Sequence, residues 1–303
     1  MTDPRAHAQD EVEAILARAR LECYRDNVLG ARDLLREFAR RRADPRVRET
    51  LDRLEKMLWH LESREAYLRA QEAQYKSLRG KAGLKHLEKW VRILLGKKTR
   101  KMIRRRARNP EFELLEGEIL AHECTSILDA GSGEGGVCLA LAARHPHLRI
   151  VGVEASETNV RLARRLNRFP NVAFRQGLAE EVHLLFDPES FDLVYSFAVL
   201  EHVRDVDETV ASILKVLRPG GRFCFVVPMR RIEARGPIPE FVPHHGYADH
   251  VRVFSEQELR DRFGHHPGFM VHKIPGAWKP GEMPSVFVPV EFGSFFVSFV
   301  KAG

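Results

Sequence analysis

The residues with the clearest chemical potential lie close together. Asp129-Ala130-Gly131-Ser132-Gly133-Glu134-Gly135-Gly136 is followed by Glu154, twenty-three residues after Gly131. Glycines at 131, 133 and 135 let a backbone turn tightly and approach a ligand closely. Glu154 ends an apolar run, where its carboxylate can accept hydrogen bonds from two ribose hydroxyls. The third glycine comes two residues after the second, one short of the dinucleotide fingerprint. Asp129, just before the turn, repels a diphosphate and suits a ligand that carries an ammonium and a sulfonium. The charge therefore points to S-adenosylmethionine over NAD.

The elements that must hold these residues alternate. Short apolar runs at 126–131, 148–156, 171–177, 191–197 and 221–228 read as strands, and 136–144, 159–166 and 208–217 read as helices. Strand–helix repetition with near-continuous Val, Ile, Leu and Phe strands means a parallel sheet covered on both faces. Ligands bind such sheets at the carboxyl ends of the strands. Glu201-His202 follows the fourth strand, and His244, His245, Tyr247, Asp249 and His250 follow the fifth. Both segments leave that same edge. Residues 291–300 alternate and read as a last, antiparallel strand.

The N-terminal part reads as helices. Residues 10–42 carry helical periodicity, and Asp44-Pro45 caps a second helix with Val47, Leu51, Leu54, Leu58 and Leu61 on a heptad seam. The seam continues through Leu68 and Tyr75 but also takes in Glu65 and Glu72. A helical hairpin or bundle within the chain is expected, with a homodimer through these helices as the alternative. Gly80 and Gly83 mark a break, and another helix runs from about Leu84. Its end places Lys97, Lys98, Arg100, Lys101, Arg104, Arg105, Arg106 and Arg108 within twelve residues. That run is either a solvated helix end or a patch for an anionic partner: a membrane surface, an acidic saccharide or nucleic acid. Trp90, Ile93, Leu94 and Leu95 favour a membrane surface, and no stacking platform for bases accompanies the run.

Composition fits two modules. Of 303 residues, 1–110 carry a net charge of +13 and 111–303 a net charge of −6. At 44% hydrophobic the chain is not disordered. It has no apolar stretch long enough for a transmembrane helix, and its first residues do not read as a secretory signal. Cys23, Cys124, Cys138 and Cys224 are scattered and read as core filler. A cytoplasmic protein, with peripheral membrane contact as an option, is expected.

Five segments in order, ILDAGSGEGG (127–136), VGVEAS (151–156), FDLVYSFAVLEHV (191–203), LKVLRPGGRFCFVVP (214–228) and HVRVFSEQELRDRF (250–263), resemble the class I S-adenosylmethionine-dependent methyltransferases. Within them the chain is similar to the small-molecule group typified by the quinone-biosynthesis enzymes, over roughly residues 115–303. The resemblance implies an α/β fold, a Rossmann-like doubly wound seven-stranded sheet at 111–303, preceded by an all-α domain at 1–110. It places Asp129 by the methionine amino group, Gly131, Ser132 and Gly133 against the cofactor, Glu154 at the ribose and Ala155 beside the adenine. Phe197 then lines the methionine arm. Where the family has Gly-Asp-Ala, this chain has Gly177-Leu178-Ala179-Glu180. Leu178 and Ala179 are expected at the adenine, but Leu178 cannot accept from its amine, which must meet Glu180, a carbonyl or water.

On the acceptor side, in-line methyl transfer to an oxygen needs alignment and a base. His202, His245 and His250 are the expected catalytic residues, and Arg230, His244 and Tyr247 the expected acceptor contacts, with arginine suited to a carboxylate or phosphate. The metal pattern of some relatives, E-x-x-E-H, falls on Ala198, Glu201 and His202, so its first ligand is missing and no metal is expected. Ser196-Phe197-Ala198-Val199 lacks the Pro-Pro-aromatic signature of amino-group nucleic-acid enzymes. Cys224 lies within a strand, away from a cytosine-C5 nucleophile position. The expected activity is O-methylation of a small molecule or saccharide, anionic and lipid-linked acceptors included. The alternatives are a cofactor-binding scaffold and an RNA methyltransferase using the basic helix.

Overall fold

In the computed structural model, the residues described are 4–25, 27–58, 65–66, 68–69, 72, 97–234, 251–276 and 287–303. The chain forms two compact units: residues 1–66, 228–255 and 275–294, and residues 67–227, 256–274 and 295–303. The division is thus not a single cut in the sequence.

The first unit holds α1 (Pro4–Tyr24), α2 (Val28–Arg41) and α3 (Pro45–Met57). The periodicity over 10–42 conceals a break between α1 and α2. Asn27 makes it, accepting from the Gly30 N–H at 3.3 Å while its own amide donates to Glu22. Asp44 caps α3 as its type and position require, accepting from the N–H groups of Arg46 and Val47. Val12, Leu16, Ala19, Ala31, Leu35, Val47, Leu54 and Leu58 are buried together. The seam of α3 is therefore used inside the chain. Val251 joins the same cluster, and its carbonyl accepts from the Leu29 N–H at 3.0 Å.

The first elements given ranges in the second unit are α4 (Lys97–Arg106) and α5 (Pro110–Ala121). α5 is not among the elements expected from the sequence. Its signal was present in Asn109-Pro110 at the start and in Phe112, Leu115 and Ile119 on one buried face. Buried Glu118 on α5 meets Arg222 at 2.6 Å and accepts from the Ser298 hydroxyl at 2.9 Å.

Then come β1 (Ser126–Ala130), α6 (Gly136–Arg144), β2 (Arg149–Glu154), α7 (Glu157–Leu166), β3 (Val172–Gln176), a 3-10 turn (Ala179–Glu181) and α8 (Val182–Leu185). β4 (Phe191–Phe197), α9 (Val206–Val216), β5 (Leu217–Ala234), α10 (Glu256–Phe263), β6 (Met270–Pro275) and β7 (Phe287–Val300) follow. The sheet order is β3-β2-β1-β4-β5-β7-β6. β1 through β5 pair in parallel, with Leu128 opposite both Val151 and Val194, and Tyr195 opposite Cys224. Lys301, just past β7, exchanges backbone hydrogen bonds with Gly220 and Gly221 near the start of β5, so β7 runs antiparallel. β5 is longer than the expected 221–228 at both ends. Chain order reverses between β1 and β4, which opens the ligand crevice above their carboxyl ends. No described helix is long and apolar enough to cross a membrane.

Candidate functional site

The crevice is floored by the turn from β1 to α6. Gly131, Gly133 and Gly135 have φ of +103°, +54° and +80°, a region that L side chains rarely adopt. A Cβ on Gly131 would lie 2.2 Å from Cγ2 of Val199, so the glycine is also required by space. A Cβ on Gly133 would meet nothing within 4 Å, which leaves that face of the turn open for a ligand to approach. The turn is tied to β2: Gly131 and Ser132 N–H groups both donate to the Val153 carbonyl, at 2.8 and 2.9 Å.

Glu154 completes the tie. Its Oε2 accepts from the Gly133 N–H at 2.8 Å and its Oε1 from the Ser156 N–H at 2.9 Å. The Asn159 side chain also bonds to this carboxylate, which keeps acceptor capacity for a ligand hydroxyl. Burial raises the Glu154 carboxyl, opposed by those two N–H groups and by the nearby His202. Asp129 lies below the turn, 2% exposed, its Oδ2 accepting from the Tyr195 hydroxyl at 2.8 Å and the Cys138 thiol at 3.1 Å. Burial pushes its carboxyl up to about 7, against the pull of those two donors. Cys138 is thus more than core filler, since it holds a site residue. The Ser132 hydroxyl is buried and has no hydrogen-bond partner among the described residues.

The remaining cofactor-side expectations gather along the same edge. The Gly177 N–H donates to the Glu154 carbonyl at 3.1 Å, which brings Leu178 and Ala179, both buried, to the end of β2. The Ala155 carbonyl accepts from Gln176 at 3.2 Å. Glu180 is partly buried, accepts from the Arg204 N–H and is raised by burial. Half-buried Phe197 packs beside Tyr195 and Phe296. Ala198 next to it is held at φ +57° by its N–H bond to the Val226 carbonyl, a strained position for a residue with a Cβ.

On the acceptor side, His202 is mostly buried, its N–H bonded to the Val199 carbonyl and its Nε2 4.0 Å from the fully buried Glu201. Arg230 is carried on β5. His244, His245, Tyr247 and His250 lie outside the described residues.

Three further residues reach this edge without having been singled out for it. α4 packs against α6, Lys98 pairs with Glu134 of the turn at 3.1 Å, and Arg106 lies against Gly136, its charge felt at Asp129. The signal for Arg106 was the spacing 99, 102, 103, 106, which sets one face of α4 toward the domain. The third is Glu72. Its Oε2 accepts from the Ser156 hydroxyl at 2.8 Å and its Oε1 from the Thr158 hydroxyl. It supplies negative charge to the N-terminus of α7, so an acid that looked like a fault in a seam has a place of its own.

Among known proteins, residues 128–225 match the family described as a methyltransferase domain. A protein of Mycolicibacterium smegmatis named "Probable S-adenosylmethionine-dependent methyltransferase" is 35% identical over 130 residues, 42% of this chain and 48% of that one. A ubiquinone biosynthesis O-methyltransferase of Mesorhizobium japonicum is 36% identical over 36% of this chain and 43% of its own. A trans-aconitate 2-methyltransferase of Deinococcus radiodurans is 31% identical over 40% and 45%. The chain spans less than half the length of each of these relatives.

Proposed function

We propose that this chain, whose residues 128–225 are a class I S-adenosylmethionine-dependent methyltransferase domain, methylates an oxygen of a small-molecule or saccharide acceptor, anionic and lipid-linked acceptors included. The observation that carries the reading is the glycine turn bonded to Glu154 at 2.8 Å over a buried acid, Asp129. That floor accepts ribose hydroxyls and a cation, and it disfavours a diphosphate.

S-adenosylmethionine supplies a sulfonium-bound methyl group when it is bound. Glu154 would receive the ribose hydroxyls, and the open face of Gly133 would admit the backbone-close part of the donor. The buried Ser132 hydroxyl would gain a partner that the protein does not give it. Asp129 would stand beneath the ammonium, and Arg106 of α4, beside Gly136 at the start of α6, would face the carboxylate. In the transfer the acceptor oxygen forms the new bond to carbon, and the carbon–sulfur bond breaks with its electron pair staying on sulfur. The proton on the oxygen passes to His202, which stands beside Glu201 and Glu154. The names of the quinone and aconitate relatives support a small acceptor.

The test is calorimetric titration of the full chain with adenosylhomocysteine, then a methyl-transfer assay over a panel of phenolic, carboxylic and glycosidic acceptors. Saturable binding and turnover on one class are expected. His202→Gln should lower kcat by about 100-fold or more while leaving adenosylhomocysteine affinity within a few fold. Binding without transfer to any acceptor would leave the domain as a scaffold and refute the reading.

A further inference from the structure

We propose that the outward face of α4 is a docking surface for an anionic lipid bilayer. Thr99, Met102 and Ile103 face the domain, and exposed Arg106 lies against Gly136. Thr99 is buried with its hydroxyl donating to the Leu166 carbonyl at 2.9 Å, and Met102 and Ile103 pack on the core. The complementary positions, Lys97, Arg100, Lys101, Arg104 and Arg105, recur at the same helical spacing and are all exposed, and exposed Arg108 follows in the turn after the helix. Every residue on that face is a cation. At 1.5 Å rise per residue the stripe on α4 extends about 12 Å. The Thr99–Leu166 bond sets the end of α7 beside it, adding exposed Arg165 and Arg168.

A solvated helix end explains basic residues in a last turn, but not a face that stays cationic for about two turns. A bilayer accounts for it better than nucleic acid does. α4 contains no aromatic residue on which a base could stack. In the sequence the stripe follows directly on Trp90, Ile93, Leu94 and Leu95, the interfacial and apolar types that membrane-surface segments combine with cations. The inference does not depend on the proposed transfer reaction. Each cation close to an anionic bilayer improves partition by about fivefold.

The experiment sediments the full chain with vesicles of phosphatidylcholine alone, or with a third of the lipid replaced by phosphatidylglycerol. Binding to the anionic vesicles only is expected, weakening as salt shortens the screening length. K101Q/R104Q/R105Q/R108Q should lose partition on the order of several hundred-fold. R104K/R105K/R108K should retain it, and both variants should keep the wild-type circular dichroism and adenosylhomocysteine affinity. Equal binding to neutral vesicles, or unchanged binding by the neutralised variant, would overturn the proposal. So would tighter binding of an RNA oligonucleotide than of the anionic vesicles at the same salt.

Discussion

Gly131→Ala is the smallest change that the turn cannot absorb. The new Cβ would stand 2.2 Å from Cγ2 of Val199, so one of them must move by about 1.5 Å to reach ordinary contact. The residue must also hold φ +103°, at a cost of about 1–3 kcal/mol for a non-glycine. Moving the turn pulls Gly133 from Glu154, whose 2.8 Å bond sets the ribose acceptor. Taking about 2 kcal/mol for the strain alone gives a thirtyfold loss in any equilibrium that needs the native turn. Adenosylhomocysteine affinity should fall by at least that factor, and the midpoint of thermal unfolding by several degrees. Gly117→Ala is the control. It lies exposed in α5 with nothing within 4 Å of its Cβ, so it should raise stability by about 0.5–1 kcal/mol. Adding Val199→Ala to Gly131→Ala removes the clash but not the strained φ, and should restore only part of the affinity. Wild-type affinity and melting in Gly131→Ala would refute this reading of the turn.

Asp129 gives a pH signature. With its carboxyl near 7, the ionised fraction falls from about half at pH 7 to about 1% at pH 5, so binding of a cationic donor should weaken about fiftyfold on calorimetry. Because the folded state holds this proton more tightly than the unfolded chain, stability is lost as pH rises from the ordinary carboxylate range through 7. Asp129→Asn should therefore melt higher than wild type at pH 8, match it only at about pH 4 and below, and lose cofactor affinity at pH 8; equal melting at pH 8 counts against the buried charge. Glu154→Gln turns an amide N–H toward a backbone N–H and removes a charged acceptor, so adenosylhomocysteine binding should drop on the order of 100-fold. Glu72→Ala strips the carboxylate from the N-terminus of α7 and should cost about 0.5–2 kcal/mol on denaturant unfolding, within the range for a lost helix cap. No loss there would mean that Glu72 is only a bystander.

The strands and the turn were legible in the sequence because each has a local signature. Buried parallel strands read as unbroken apolar runs, and glycines at 131, 133 and 135 can be counted. Glu154 was legible because its position relative to the turn follows from strand length. The contacts that local patterns do not encode were harder to see. Cys138 and Asp129 are nine residues apart, but their bond exists only because α6 folds back over β1. Glu72 and Ser156 are 84 residues apart, so the same acid looks like a defect within its own helix. The break at Asn27 was masked by apolar spacing that continues on both sides of it. α5 is hard to see because Asn109-Pro110 can end one helix as readily as it begins the next.

Titration of the full chain with adenosylhomocysteine, set beside an identical titration with NAD, is the most direct test of what the crevice holds. One saturable site per chain for adenosylhomocysteine and no heat from NAD is the predicted result. Saturation by NAD, or no binding of adenosylhomocysteine at millimolar concentration, would contradict it.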